Sequence, residues 1–150
     1  MGQLLGAPVG VADRYALAAG RHREAALALI RGHGSGHDAA AYLAGYVVEC
    51  SLKALVEAGG GTGSARPFGH DLEKLRGDGL RLAYGLTRLQ RYVMPADCAV
   101  DDLVRHWREH LRYREPGAVP PQVARRWVGA AARVCHCLVQ KAMLDGVVLR

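Results

Sequence analysis

Four polar side chains that could do chemistry recur along one side of the apolar stretch 42–56. Tyr42, Tyr46, Glu49 and Lys53 are separated by four, three and four residues, so a helix would place two phenols, a carboxylate and an ammonium on one face. Glu49 precedes Lys53 by four residues, the order that favours an ion pair. The face is either a ligand site or a satisfied polar network in the core. We favour the network, because buried polar groups must be paired.

His70 and Asp71 follow a glycine and precede a short run of helix-forming residues. An adjacent imidazole and carboxylate could act as an acid–base pair, but Asp is also a common cap at a helix start. We favour the second interpretation. The structural polar network predicted from the sequence consists of Tyr46, Glu49, Lys53, His70 and Asp71.

Two groups of residues could be mistaken for metal ligands. Cys135 and Cys137 flank His136, but helical positions two apart point about 200° away from each other and cannot share a tetrahedral ion. His33 and His37, in a glycine-rich turn, have no acidic or thiol partner nearby in the sequence. We therefore predict no metal site.

The second half of the chain carries concentrated positive charge. Between residues 103 and 134 there are seven arginines against two acids, Glu109 and Glu115, which predicts a local field suited to a phosphate backbone. Trp107, Arg112 and Tyr113 could contact unpaired RNA. A core tryptophan followed by a helix-ending Arg–Tyr anchor is an equally good interpretation. The residues that we predict to bind nucleic acid or nucleotide are Arg108, Arg112, Tyr113, Arg125 and Arg126.

Composition bounds the class of protein. A chain of 150 residues can form one domain with a sizeable core, and abundant Ala and Leu beside one Phe and one Ile predict an all-α fold. The formal charge of +6 and the pI of about 9.5 are compatible with a nucleic-acid partner. An excess of Arg over Lys is also typical of a GC-rich genome.

Other sequence features argue for a cytoplasmic protein without a cofactor. We expect no apolar run of the ~18 residues that span a membrane, and the first residues lack the positive charge of a secretory signal. The four cysteines lie in helical patterns, so we interpret them as reduced thiols. The glycine-rich run 57–67 lacks the lysine and the preceding strand of a phosphate-binding loop.

Apolar periodicity predicts five or six helices and no strand. Residues 42–56 form the central helix, with Asp38 as its cap and the flexible connection 57–67 after it. The other predicted helices cover residues 11–31, 71–75 (broken at Gly77), 80–92, 96–111 and 121–144. The side chains expected to face inward in the two middle helices are Leu82, Leu86, Leu89 and Val93, then Val100, Leu103, Trp107 and Leu111. The expected architecture is an antiparallel up-and-down bundle in a single domain, with a core of about residues 13–144 and loose residues 1–10.

The order of these elements and three local motifs resemble the HEPN domain family of short helical proteins. The motifs are AYLAGYVVECSLKALV (residues 41–56), GHDLEKL (residues 69–75) and Trp107 followed by Arg112–Tyr113, ahead of a closing amphipathic helix. The resemblance covers about residues 13–144. It implies a helical bundle, commonly a homodimer, in proteins associated with RNA cleavage, toxin–antitoxin pairs, phage defence or nucleotide binding.

In ribonucleases of that family, an arginine and a histidine separated by four to six residues meet across the dimer and act on RNA without a metal. This chain has two matches, Arg105 with His110 and Arg31 with His37, about as many as random placement gives. We discard the second pair because it straddles a glycine-rich turn. The first pair lies on the predicted helix 96–111, where a five-residue offset turns the side chains about 140° apart.

The sequence leaves three hypotheses open. The leading one is an HEPN-type protein that binds RNA or a nucleotide through its arginine-rich half, in a toxin–antitoxin or defence system. The second is a metal-independent endoribonuclease with Arg105 as phosphate binder and His110 as general acid–base. The third is a non-catalytic subunit whose partner is another copy of the chain, an antitoxin or a nucleotidyltransferase.

Overall fold

The computed structural model describes residues 9–32 and 36–148, and its helices are joined by turns. The longer helices are α1 (Val11–Arg31), α2 (His37–Gly60), α5 (Cys98–His106) and α6 (Pro121–Cys135). The short helices are α3 (Leu72–Lys74), α4 (Leu80–Ala83) and α7 (Lys141–Leu144); π-helical turns, Leu75–Gly79 and His136–Gln140, join α3 to α4 and α6 to α7. The 3-10 turns are Arg66–Phe68, Thr87–Leu89 and Glu109–Tyr113. The described residues contain no strand, so the predicted all-α helical bundle is confirmed.

The helix α2 lies at the centre of the bundle. Every residue from position 47 to position 57 is buried, which is three turns of helix covered all round by other elements. The helix takes this central position because apolar side chains occur nearly all round it and each side must be covered by an apolar neighbour.

By length and composition, α2 is the one helix among the described residues that could cross a membrane. The expectation that no apolar run reaches this length is therefore wrong. The protein itself covers the helix, since 78% of its most apolar window is buried. Such burial is typical of the core helix of a globular protein.

Small side chains let neighbouring elements approach α2 closely. The helix α1 packs along it and buries Ala16, Ala19 and Ala26. At Gly45 the indole ring of Trp107 fills the space that a side chain would need, because a Cβ atom built there would lie 1.8 Å from Cε2 of that ring. Glycine is required at this position for packing rather than for backbone conformation.

The segment 72–83 does not break at Gly77 as the sequence predicts. Its backbone widens into the π turn and then resumes as α4, so the helical path is kept. Leu75 and Leu80 remain buried on either side of the glycine. The wider π turn accommodates one extra residue, so the apolar side chains before and after it stay on the buried side of the segment.

The predicted helix 80–92 is wrong in length and in its inward face. After α4 the chain makes turns that are closed by the Tyr84 hydroxyl, which donates a hydrogen bond to the carbonyl of Tyr92 at 2.7 Å. Of the four residues expected to face inward, only Leu89 is buried, whereas Leu82, Leu86 and Val93 are exposed. Apolar spacing alone overestimated the helix because no neighbouring element covers that face.

The helix α5 is shorter than the predicted span 96–111. Its cap is Asp97, whose carboxylate accepts a hydrogen bond from a backbone amide of the first turn at 3.0 Å. It ends at Trp107, whose backbone is extended and whose indole N–H donates to the carbonyl of Tyr42 at 3.1 Å. Arg105 and His110 therefore belong to different elements.

Asp38 is not the cap of α2. The cap position is Gly36, which offers no side chain, and the Asp38 carboxylate instead accepts hydrogen bonds from the amides of Gly117 and Val119 at 2.6 and 2.9 Å. An acid in the first turn is still favoured by the helix dipole. Its main structural effect is to fix the loop that leads into α6.

Buried Glu57 gives the glycine-rich connection defined hydrogen bonds. Its two carboxylate oxygens accept from the amides of Gly63 and Ala65 at 2.8 and 2.9 Å. Residues 57–60 are part of α2, so the predicted flexible run 57–67 begins within a helix. Gly61 and Gly63 adopt positive φ angles of 89° that favour glycine.

We predict that Gly45→Ala destabilises the fold. Overpacking in a core costs about 1–3 kcal/mol, and this methyl group would overlap the buried indole rather than the end of a flexible chain. Gly20→Ala is the matched control, because nothing lies within 4 Å of its added Cβ and it gains up to about 1 kcal/mol of helix propensity. Urea unfolding followed by circular dichroism compares the two; equal midpoints would contradict the packing described for Trp107.

Candidate functional site

An ion pair lies inside the central helix. The Lys53 ammonium donates to Oε1 of Glu49 at 2.8 Å, and the two side chains are only 9% and 4% exposed. Breaking such a buried pair leaves an uncompensated charge in the core. The pair therefore needs its neighbours to complete its hydrogen bonds.

His70 completes the pair from a different part of the chain. Its Nδ1 atom lies 2.9 and 3.1 Å from the two carboxylate oxygens of Glu49. Because a carboxylate accepts, Nδ1 carries the hydrogen and the other ring nitrogen, Nε2, is left for a further partner. The His70 side chain is 44% exposed, so a buried ion pair is connected to a solvent-accessible imidazole.

Local backbone geometry delivers the imidazole to α2. Gly69 has a φ angle of 54°, in the left-handed region, and turns the chain after the 3-10 turn. Asp71 then caps α3 by accepting from the amide of Lys74 at 3.0 Å. Asp71 therefore has the predicted capping role and does not contact the ion pair, whereas His70 has no capping role.

Aromatic rings surround the exposed edge of this group. The ring of Tyr46 lies 6.0 Å from His70, 5.2 Å from Trp107 and 4.9 Å from Tyr42, measured between centroids. Tyr42 donates its hydroxyl hydrogen to the Tyr46 hydroxyl at 3.1 Å. Burial, followed by this hydrogen bond, raises the pKa of Tyr46 above its usual value, so the phenol stays protonated at neutral pH. His22 closes the cluster, 5.9 Å from Tyr46, and burial lowers its pKa.

Residues 108–114, which we call the arginine segment, follow directly after Trp107. The Arg112 guanidinium stacks over the ring of Tyr113 at 4.6 Å and donates to its hydroxyl at 2.6 Å. The hydrogen bonds that Arg112 donates to Tyr113 and then to Tyr42 raise the pKa of Arg112. The Tyr113 ring is 75% exposed. The segment thus presents a cation and an aromatic face to solvent beside the Tyr42–Tyr46 pair.

A cavity of about 350 Å³ connects the arginine segment to the imidazole. His70 and Arg108 both line it, together with the carboxylate-bearing residues Asp71, Glu73 and Glu109. An imidazole and a guanidinium on one cavity are groups suited to a phosphate ester. The sequence did not indicate this meeting, because His70 and Arg108 are 38 positions apart and no periodic pattern links them.

The structure does not bring Arg105 and His110 together as a site. Arg105 extends from α5 to an ion pair with Asp101 at 3.1 Å, and His110 lies exposed in the 3-10 turn beyond Trp107. The assumption that both lie on one helix is wrong. Their assignment as phosphate binder and acid–base group stays a prediction that depends on a second chain.

The remaining predicted binding residues are split between two surfaces. Arg108, Arg112 and Tyr113 belong to the arginine segment, whereas Arg125 and Arg126 are exposed on α6 and do not line the cavity. Arg133, further along α6, is neutralised by Asp97 at 3.1 Å. Charge counting along the sequence could not separate these surfaces.

Cysteine side chains offer no activated nucleophile at the site. All four are free thiols. Burial raises the pKa of Cys50 to about 12 and also raises that of Cys135, so both stay protonated and unreactive near neutral pH. Among the described residues, no three His, Cys, Asp or Glu side chains meet as a metal-binding group. His33 lies outside the described residues.

Comparisons of the chain with protein-family models, with curated proteins and with solved structures find no match.

We predict that Glu49→Gln destabilises the protein by about 3–5 kcal/mol, because the Lys53 ammonium is left buried without its carboxylate. The double variant Glu49→Gln with Lys53→Met removes both charges and should recover most of that loss. Chemical denaturation of the wild type and both variants gives the comparison.

Arg81→Ala is the control for removing an ion pair, since Arg81 and Asp78 are paired at 3.2 Å but are 81% and 65% exposed. It should leave the midpoint almost unchanged. A double variant less stable than Glu49→Gln alone would show that the buried pair is not the source of the effect.

Proposed function

We propose that the chain is an HEPN-type helical protein that binds RNA or a nucleotide through the arginine segment. The observation that carries this proposal is the state of Arg108, Arg112 and Arg114. They lie close together in the chain, are exposed, and none forms an ion pair with a carboxylate of a described residue. Guanidinium groups left without protein carboxylates are free to contact phosphate oxygens.

Tyr113 supports a ligand that carries bases as well as phosphates. An exposed tyrosine is a stacking surface for an unpaired base, and stacking contributes about 1–3 kcal/mol per base. The Arg112 guanidinium holds the ring at 4.6 Å, which reduces the entropy lost when a base stacks on it. An isolated phosphate has no base that could stack on this ring.

The family assignment and the biological setting belong to the same proposal. The all-α bundle, the buried Glu49–Lys53 pair and the GHDLEKL turn support an HEPN-type fold. The resemblance supports a cytoplasmic homodimer acting in a toxin–antitoxin or defence system, with an antitoxin or nucleotidyltransferase as the partner class. Fold membership by itself does not select among these activities.

We predict that Arg108→Ala with Arg112→Ala weakens binding of a labelled single-stranded RNA. Each lost phosphate contact should reduce the slope of log K against log salt by about 0.7. Fluorescence anisotropy over a salt series measures both quantities. For the wild type we expect tight binding at low salt that falls steeply as salt is added.

The matched control is Arg81→Ala with Arg88→Ala, which removes the same charge from α4 and the turn after it, away from the cavity. The control should bind almost as the wild type does. If both double variants lose the same RNA affinity, the loss reflects net charge rather than a contact of the arginine segment. If the wild type binds neither RNA nor a nucleotide at low salt, the proposed function is overturned.

A further inference from the structure

The His70 imidazole is held differently from the other histidines that the structure describes. His106 pairs with Asp102 at 3.0 Å, but on the exposed face of α5, and His136 contacts Gln140 on the surface. The ring of His22 is partly buried, and its pKa is lowered by that burial. Among the described histidines, only His70 combines a buried carboxylate at Nδ1 with a place on a cavity that also holds an arginine.

The Lys53–Glu49 pair fixes how His70 can react. Lys53 donates to one oxygen of the buried Glu49 carboxylate, and the same carboxylate accepts the Nδ1 hydrogen of His70. The ring is thereby held in the tautomer whose Nε2 atom is basic, which is the orienting effect of a carboxylate on a catalytic histidine.

We infer that His70 is the general acid–base residue of a phosphodiester-cleaving site in which Arg108 binds the scissile phosphate. This inference rests on the proposed function, because it takes the RNA bound by the arginine segment as its substrate. It assigns the chemistry to His70 and Arg108 in one chain rather than to Arg105 and His110.

The reaction needs only groups that this chain and water supply. Nε2 of His70 takes the proton of a ribose 2′-hydroxyl, and the oxygen attacks the adjacent phosphorus as the bond from phosphorus to the 5′-oxygen breaks. The leaving 5′-oxygen takes a proton from water, and the imidazolium returns its proton to the hydroxide so formed. The products are a 2′,3′-cyclic phosphate and a 5′-hydroxyl. The Arg108 guanidinium would stabilise the negative charge on the phosphorus centre.

Both acidic and basic side chains line the cavity, and this affects how many phosphate groups it can bind. Asp71, Glu73 and Glu109 share it with His70 and Arg108. The Asp71 carboxylate is engaged with the backbone of α3 and lies 4.0 Å from the Lys74 ammonium. The remaining carboxylates oppose a second phosphate, so we expect one phosphodiester to be held there while the rest of the RNA lies on the arginine segment.

The test uses a single-stranded RNA with a fluorophore and a quencher, and the full chain in buffer with EDTA. We expect slow cleavage by the wild type and a loss of about 100-fold or more in His70→Asn, the usual range for removing a general base. The asparagine amide can still donate to Glu49, so the variant keeps the buried network. Its unfolding midpoint should match that of the wild type.

His106→Asn is the matched control, since it removes an exposed histidine that is also paired with a carboxylate but lies away from the cavity. It should cleave as the wild type does. Mass spectrometry should find the cyclic phosphate, and DNA of the same sequence should stay intact. Full activity in His70→Asn, or cleavage of that DNA, would overturn the inference.

Binding separates this inference from the proposed function. His70→Asn should bind the uncleavable 2′-O-methyl RNA as tightly as the wild type does. Wild-type protein that binds this RNA but does not cleave the unmodified strand would overturn the catalytic role of His70 and leave the proposed function standing. Wild-type protein that binds neither would overturn both.

Glu49 acts as a positioning residue, and a split between kcat and KM tests that role. In the double variant Glu49→Gln with Lys53→Met, the carboxylate that orients the His70 ring is lost, while Arg108 and the rest of the arginine segment are unchanged. We expect kcat to fall, while KM and the binding of the 2′-O-methyl RNA stay close to the wild-type values. A rise in KM together with the fall in kcat would mean that Glu49 affects structure only.

Discussion

The buried charges of Glu49 and Lys53 impose the constraint that the neighbouring elements satisfy. Removing two charges from water costs several kcal/mol per ion, and their attraction offsets this cost only when the remaining hydrogen-bonding positions are filled. The imidazole of His70 fills one side of the carboxylate at 2.9 Å. On the other side the ammonium lies 5.7 Å from the ring centroid of Tyr15 on α1, within the range of a cation–π contact. Three elements thus converge on one pair.

The packing that seals this pair also shapes the surface beside it. Trp107 covers α2 where Gly45 leaves room, and its indole N–H reaches the carbonyl of Tyr42. The backbone must leave the helical path for that contact, so α5 ends and the arginine segment begins at the edge of the aromatic cluster. The packing of Trp107 in the core therefore also sets the position of Arg108 and Arg112.

Sequence periodicity was sufficient where one face of a helix is covered along its whole length. The span of α1 and the course of the closing helical segment follow from apolar spacing, whereas α2 extends beyond the predicted residues 42–56 at both ends. Periodicity failed for residues 80–92, where Leu82 and Val93 have the right spacing but nothing covers them. It also failed at Gly77, since a π turn can carry a helix past a glycine.

The candidate site was only partly accessible to the same reasoning. The pairing of Glu49 with Lys53 could be predicted because the two residues are four positions apart in a predicted helix. The contact of Glu49 with His70 spans 21 residues, and the shared cavity of His70 and Arg108 depends on where Trp107 ends α5. Charge counting has the same limit, because the acids that neutralise Arg105 and Arg133 are Asp101 and Asp97, just before the arginine-rich stretch begins. Screening restricts an exposed charge to about 8–10 Å at physiological salt, so these local pairs, rather than the net charge of +6, decide where an anion is attracted. Among the described residues, Arg108, Arg112 and Arg114 form no ion pair with a carboxylate, so their charge is left to attract an anion.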